Sequence, residues 1–351
     1  DFDFQIDPSK KTYDGTTTVY WKDKEGQWQE AKGEEGLDGA KKYYFGDRST
    51  VKLANGQRVK VNPADFSLTE AAYQNKNVAG GTETWTDADG NTHRNWVNYK
   101  LHINTTNFDV EGERDTTRKG VGTISKRDLA TMLPKHLIKE YDGQQTFDET
   151  NRDYVNALAN ENITHIVKED QGKIQLKVEG KYSDKDASAE TKADAQNGVH
   201  LSTAPNGRTV DYKLTLSGDA DTLANYTLAG HDTTHTVTGK PADIYKKTLT
   251  VTAKNIDKVY DGTRTVVRDA GGGVFAPHPD KDKIELSGFV SDAEKFSFDQ
   301  TAADKIDGAY SDENVRRENG TVLDKDISYS GVKAAFKNYA DNHAGGAAKN
   351  Y

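Results

Sequence analysis

The 351-residue sequence contains no cysteine, one methionine and seven prolines, and it has no long apolar run. Absence of cysteine excludes disulfide staples, thiolate nucleophiles and Cys-ligated zinc in any compartment. It also suits a chain that crosses a membrane unfolded, because stray disulfides cannot form in transit. No stretch approaches the roughly 18 consecutive apolar residues of a spanning helix, so no membrane insertion by this segment is expected. No apolar leader precedes Asp1, and an export signal is expected to lie outside these residues. Positive charge is in deficit too: 47 Lys and Arg face 56 Asp and Glu, a formal charge of -9. That balance argues against nucleic acid as a partner.

Apolar residues make up 34% and charged residues 29%, with a mean hydropathy of -0.88. So wet a composition predicts thin modules with much surface per core residue, and the length suits two or three domains.

What the sequence does have is repetition. Tyr-Asp-Gly occurs at Tyr13-Asp14-Gly15, Tyr141-Asp142-Gly143 and Tyr260-Asp261-Gly262, each behind a Lys-containing stretch. Downstream of each comes a Tyr-centred polar segment, around Tyr73, Tyr182 and Tyr310. An alternating strand follows at 97–103 and 210–216, with a weaker copy from Asp326. Next is an Asn-aromatic step: Asn107-Phe108, Asn225-Tyr226 and Asn350-Tyr351. Four landmarks in one order, three times, define modules at 1-129, 130-252 and 253-351. The third stops before a counterpart of the second module's last strand. Residues 121–129 and 244–252 read as closing strands that run into the next module without a Gly/Ser- or Pro-rich linker, which predicts a stiff, elongated array.

Period-2 alternation at 50–53, 58–61, 173–178, 210–216, 249–252 and 283–286 predicts an all-β chain of small sandwich or β-grasp-like modules. Asn55-Gly56, Asp89-Gly90, Asn206-Gly207 and Asn319-Gly320 are turn signals. Helix is expected only at 151–160 and around 332–338. In each Tyr-Asp-Gly, the Gly is expected to supply a left-handed turn residue and the Asp to bind local amides. The Tyr is expected on the core face, its ring between sheets and its hydroxyl reaching a polar partner at the rim.

Lys258-Val-Tyr-Asp-Gly-Thr263, Asn75-Lys-Asn-Val78 and Ala224-Asn-Tyr-Thr-Leu228 together resemble the YDG repeat of filamentous-haemagglutinin-like adhesins. The resemblance spans nearly the whole chain. It implies a structural or adhesive segment of a large bacterial surface protein, secreted by a two-partner or autotransporter route. The implied partners are a host-cell glycan or protein, or neighbouring adhesin modules. The modules here are longer than the compact family repeat, with insertions at 21–44 and 82–95. Trp21, Trp28, Trp85 and Trp96 all fall in the first module, three of them in or beside those insertions. They are candidates to stack on sugars or anchor a partner, which is the alternative of a dedicated binding module.

Motifs for phosphate-loop, zinc-protease, serine-hydrolase and dinucleotide chemistry are absent, so no enzyme is expected; a secreted hydrolase of unrecognised type is the remaining rival. His231 and His235 are spaced like helical metal ligands, but a strand would separate them by about 13 Å. Asp87, Asp89 and Asn91 alternate oxygen ligands as a weak calcium candidate, but the loop lacks the distal Glu of an EF-hand and a solvated hairpin turn explains it better. No other cofactor is expected.

Overall fold

The computed structural model describes residues 2–106, 113–253, 256–258, 260–269, 275–277, 284–303, 305–343 and 345–351. Asn107 and Phe108 lie outside the described residues. The chain is mostly β, arranged in many small sheets. It divides into two units, one of residues 1–133, 155–178 and 213–236, the other of 134–154, 179–212 and 237–351.

In the first unit, strands Ser9–Thr12, Asp115–Ser125, Trp96–Ile103 and Phe66–Tyr73 lie side by side in that order. The first pair is parallel, with Ser9 opposite Gly122, and the other pairs are antiparallel. Val97, Tyr99, Leu101 and Ile103 alternate into the core, as period two requires. On the neighbouring strand, Phe66 and Leu68 point inward, then Ala71 and Tyr73. A register shift opposite Lys100/Leu101 leaves Thr69 unpaired, and this bulge carries the inward face from even to odd positions.

The insertion at 21–44 contains a helix that the sequence does not announce, Gly33–Tyr44. Three glycines obscure it, yet Ala40 and Tyr44 are buried along one side, Glu34 and Glu35 occupy the first turn, and Lys41 and Lys42 the last. Those charges match the helix dipole. Gly39 has no room for more than hydrogen, since a Cβ there would stand 2.0 Å from the Trp21 ring. Two further helices include the expected segments, as Glu149–Glu161 and Val332–Asn342, and three short ones fall where none was expected, at Lys192–Asn197, Ala220–Leu223 and Gln300–Ala303.

The second repeat's sheet has the same strand order as the first: Leu137–Glu140, Thr234–Tyr245, Arg208–Gly218, Ile174–Tyr182. Its opening and closing strands are again parallel, with Leu137 opposite Ala242. The third repeat, in the second unit, pairs Thr250–Ala253 with Ile284–Ser287 and Asp307–Tyr310 with Ile327–Ser330, both antiparallel. One small core gathers Ile256, Val266 and Tyr310, another Ile284, Ile306 and Ala335.

Candidate functional site, a repeated tyrosine clasp

Each Tyr-Asp-Gly turn is built around the lysine two residues before its tyrosine. Lys11 Nζ donates to Asp14 Oδ1 and to the carbonyls of Thr16 and Thr18, at 2.7, 2.7 and 3.2 Å. Lys139 Nζ makes the same three bonds to Asp142, Gln144 and Thr146, at 2.6, 2.7 and 3.0 Å. Lys258 repeats them with Asp261, Thr263 and Thr265, at 2.7, 2.5 and 3.1 Å. An ammonium has three donors, and all three are used. That satisfaction is why Lys139 can be wholly buried, its side chain 0% exposed.

The aspartates also accept the amides of Thr16, Gln144 and Thr263, and Gly15, Gly143 and Gly262 take φ of 77, 75 and 71°. Lys258 and the Thr263 amide push the Asp261 carboxyl down to about 2. Burial works to raise the Asp14 carboxyl, but bonds from Lys11, the Thr16 amide and Tyr20 outweigh it and hold it below the ordinary range.

The downstream tyrosine lies under the same ammonium in every repeat. Lys11, Lys139 and Lys258 stand 5.2, 5.1 and 5.3 Å from the ring centres of Tyr73, Tyr182 and Tyr310. The amides of these tyrosines donate to Thr17, Gln145 and Arg264. Two and four residues further on comes another shared turn: Asn77, Asp186 and Asn314 donate their amides to the side chains of Asn75, Asp184 and Asp312.

Onto these two turns the following repeat places its Asn-Tyr step. In the first unit, Asn225 Oδ1 accepts the Val78 amide at 2.8 Å and its Nδ2 donates to Asn77 Oδ1 at 3.3 Å. In the second unit, Asn350 Oδ1 accepts the Ala187 amide at 2.8 Å and its Nδ2 donates to Asp186 Oδ1 at 3.0 Å. The carbonyls of Asn225 and Asn350 accept from the connecting segments, at Arg127 and Lys247.

The adjoining tyrosines meet edge to face, Tyr226 on Tyr13 at 5.4 Å and Tyr351 on Tyr141 at 5.7 Å, both with planes at 79°. Each pair of hydroxyls donates to one carboxylate supplied by the following repeat. Asp170 accepts Tyr13 and Tyr226 at 2.8 and 2.9 Å, and Glu294 accepts Tyr141 and Tyr351 at 2.8 and 2.6 Å. The Val167 and Val290 amides complete the two sites by donating to Tyr226 and Tyr351. Burial and then the neighbouring carboxylates raise the phenols of Tyr13 and Tyr141 well above their usual range, and Tyr351 to about 12.

Tyr13 and Tyr141 are buried, each 1% exposed, and each hydroxyl reaches a carboxylate, but the ring and the carboxylate they pack against come from the repeat that follows, while Tyr260 is 57% exposed. The spacing of Asn-Tyr was visible, but its seat on the preceding repeat was not, because Asp170 and Glu294 sit at unequal offsets in unlike local sequence.

The four tryptophans do not form one surface. Trp96 is core, its indole donating to Asn98; Trp21 packs on Gly39; Trp85 tilts over His93; Trp28 is exposed, with Lys22 over its ring. Trp28 lines an open groove with Tyr20, Lys10, Thr12, Thr123 and Ser125. Asp87 fastens its hairpin by accepting the Asp89 and Asn91 amides and bonding His93, whose contact pulls its carboxyl down to about 2. Among the described residues no group of three or more His, Asp or Glu is placed to hold a metal.

The strand argument that separated His231 from His235 fails, because the chain bends at residues 232–233, before the strand that begins at Thr234, and the rings stack at 4.3 Å. A polar cluster that sequence reading missed joins buried Asp243 to Ser188, His136 and His200. Ser188 donates to the carboxylate rather than to a histidine and accepts the Ile244 amide, so it staples backbone and lacks the nucleophile-to-base contact. Compared with family models, curated proteins and solved structures, the chain matches none.

Proposed function

We propose that this chain is a structural, presenting repeat segment of a large secreted bacterial surface adhesin. The observation that carries the reading is the twice-built clasp, in which the second and the third repeat each cover the motif tyrosine of the one before it with the same bonds. A device duplicated at successive joins fits a load-bearing array, since a catalytic site would need building only once. The Lys-x-Tyr-Asp-Gly and Asn-Tyr landmarks, which resemble those of adhesin repeats, support the surface location. Antibodies against residues 1–351 should label intact cells of the source bacterium. Labelling that requires permeabilised cells would contradict the reading.

A second reading, glycan binding by the first repeat, is favoured by the exposed Trp28 beside hydroxyl and amine groups in its groove. Trp28→Ala should then abolish any signal on a glycan array, while the same variant leaving the signal intact would remove this reading.

A further inference from the structure

The third Tyr-Asp-Gly face has the parts that the first two present to their partners, and among the described residues nothing covers it. Its lysine-centred turn is complete, and the Asn314 turn is formed as at Asn77 and Asp186. Yet Tyr260 is 57% and Val315 46% exposed, where Tyr13 and Tyr141 are each 1%. A Cβ at Gly143 would touch Val290 at 3.1 Å and one at Gly15 Val167 at 3.4 Å, both from the following repeat. At Gly262, among the described residues, it would meet only the Tyr260 hydroxyl, at 4.0 Å. Among the described residues no acceptor faces the Val315 amide, although Val78 and Ala187 at the matching positions each donate to an asparagine.

We propose that Tyr260, Asn314 and Val315 form a docking site for the Asn-Tyr step of another module of this same repeat type. The occupant follows from the two filled copies. An asparagine would accept the Val315 amide and donate to Asn314 Oδ1, and its tyrosine would set its ring against Tyr260, hydroxyls meeting at a carboxylate of the incoming module. The recognition is bidentate and aromatic, so it selects Asn followed by Tyr over either residue alone. It rests on the clasp geometry and stands whether or not the chain serves an adhesin.

Because the chain has no cysteine, one can be placed beside the site. The full chain carrying Glu313→Cys would be equilibrated, in a redox buffer of a small thiol and its disulfide, with a peptide of residues 219–230 bearing an added N-terminal cysteine. Mixed-disulfide formation should be about tenfold greater than with peptides carrying Asn225→Ala or Tyr226→Ala, as about 1.4 kcal/mol of contact implies. Adding Tyr260→Ala to the chain should erase that preference, and circular dichroism should show the fold retained because Tyr260 is exposed. Equal capture of all three peptides, or a preference that survives Tyr260→Ala, would overturn the proposal.

Discussion

The joint between the first two repeats and the bare face of the third hold the same turn in two settings. Lys11 and Lys258 make matching bonds, and Gly15 and Gly262 share one backbone conformation, so the turn holds itself. The tyrosine does not: its exposure goes from 1% at Tyr13 to 57% at Tyr260. Lysine, aspartate and glycine therefore serve the fold of their own repeat, and the tyrosine serves the next one.

The sharpest way to break this comparison is to truncate the two tyrosines. Tyr13→Ala should destabilise its unit by about 3–5 kcal/mol, because it empties a packed aromatic pair and strips the Asp170 carboxylate of a donor. Tyr260→Ala should stay within about 0.5 kcal/mol. Urea unfolding followed by circular dichroism checks both, and equal losses would show that the third face is not bare in solution. Lys139→Met should cost about 3 kcal/mol, since it leaves the Asp142 carboxylate and two carbonyls without their shared donor. A loss below about 1 kcal/mol would mean that water replaces the ammonium.

Glycine substitutions sharpen the same contrast on a smaller scale. Gly262→Ala should cost about 1 kcal/mol from left-handed backbone alone. Gly143→Ala should cost about 2–3 kcal/mol, because contact with Val290 adds to that strain. Identical costs would remove Val290 from the account.

The smallest effect concerns alkali. Tyr351 ionises near 12 in the fold against about 10 when unfolded, and Tyr13 and Tyr141 are raised in the same sense. The unfolded chain thus holds fewer protons than the native one above pH 10. The stabilisation is complete below about 10 and is lost as pH rises through about 12. Melting temperature should fall over that window, and fall less in Tyr351→Phe.

Much of the β architecture was legible because its signals are local. Ile174–Tyr182 buries every second residue without exception, and Asn319-Gly320 turns its hairpin with φ of 50 and 86°. The Gly33–Tyr44 helix was not legible, because its glycines disfavour helix until Trp21 and the Glu30 carbonyl press against Gly39 and Gly36. The repeat landmarks were readable as spacing, but the clasp depends on Asp170 and Glu294 arriving from distant, dissimilar segments. The His231–His235 stack escaped a strand argument because the chain bends at residues 232–233 where alternation alone suggested extension.

The central claim is that the tyrosine of one repeat is held by the Asn-Tyr step of the next. A double-mutant cycle on Tyr13 and Tyr226 tests it most directly, with urea unfolding read by tryptophan fluorescence, since all four tryptophans lie in the first repeat. The account predicts a coupling of at least about 1 kcal/mol between Tyr13→Ala and Tyr226→Ala. Additivity within about 0.3 kcal/mol would contradict it, because two rings that share a face and a carboxylate cannot be lost independently.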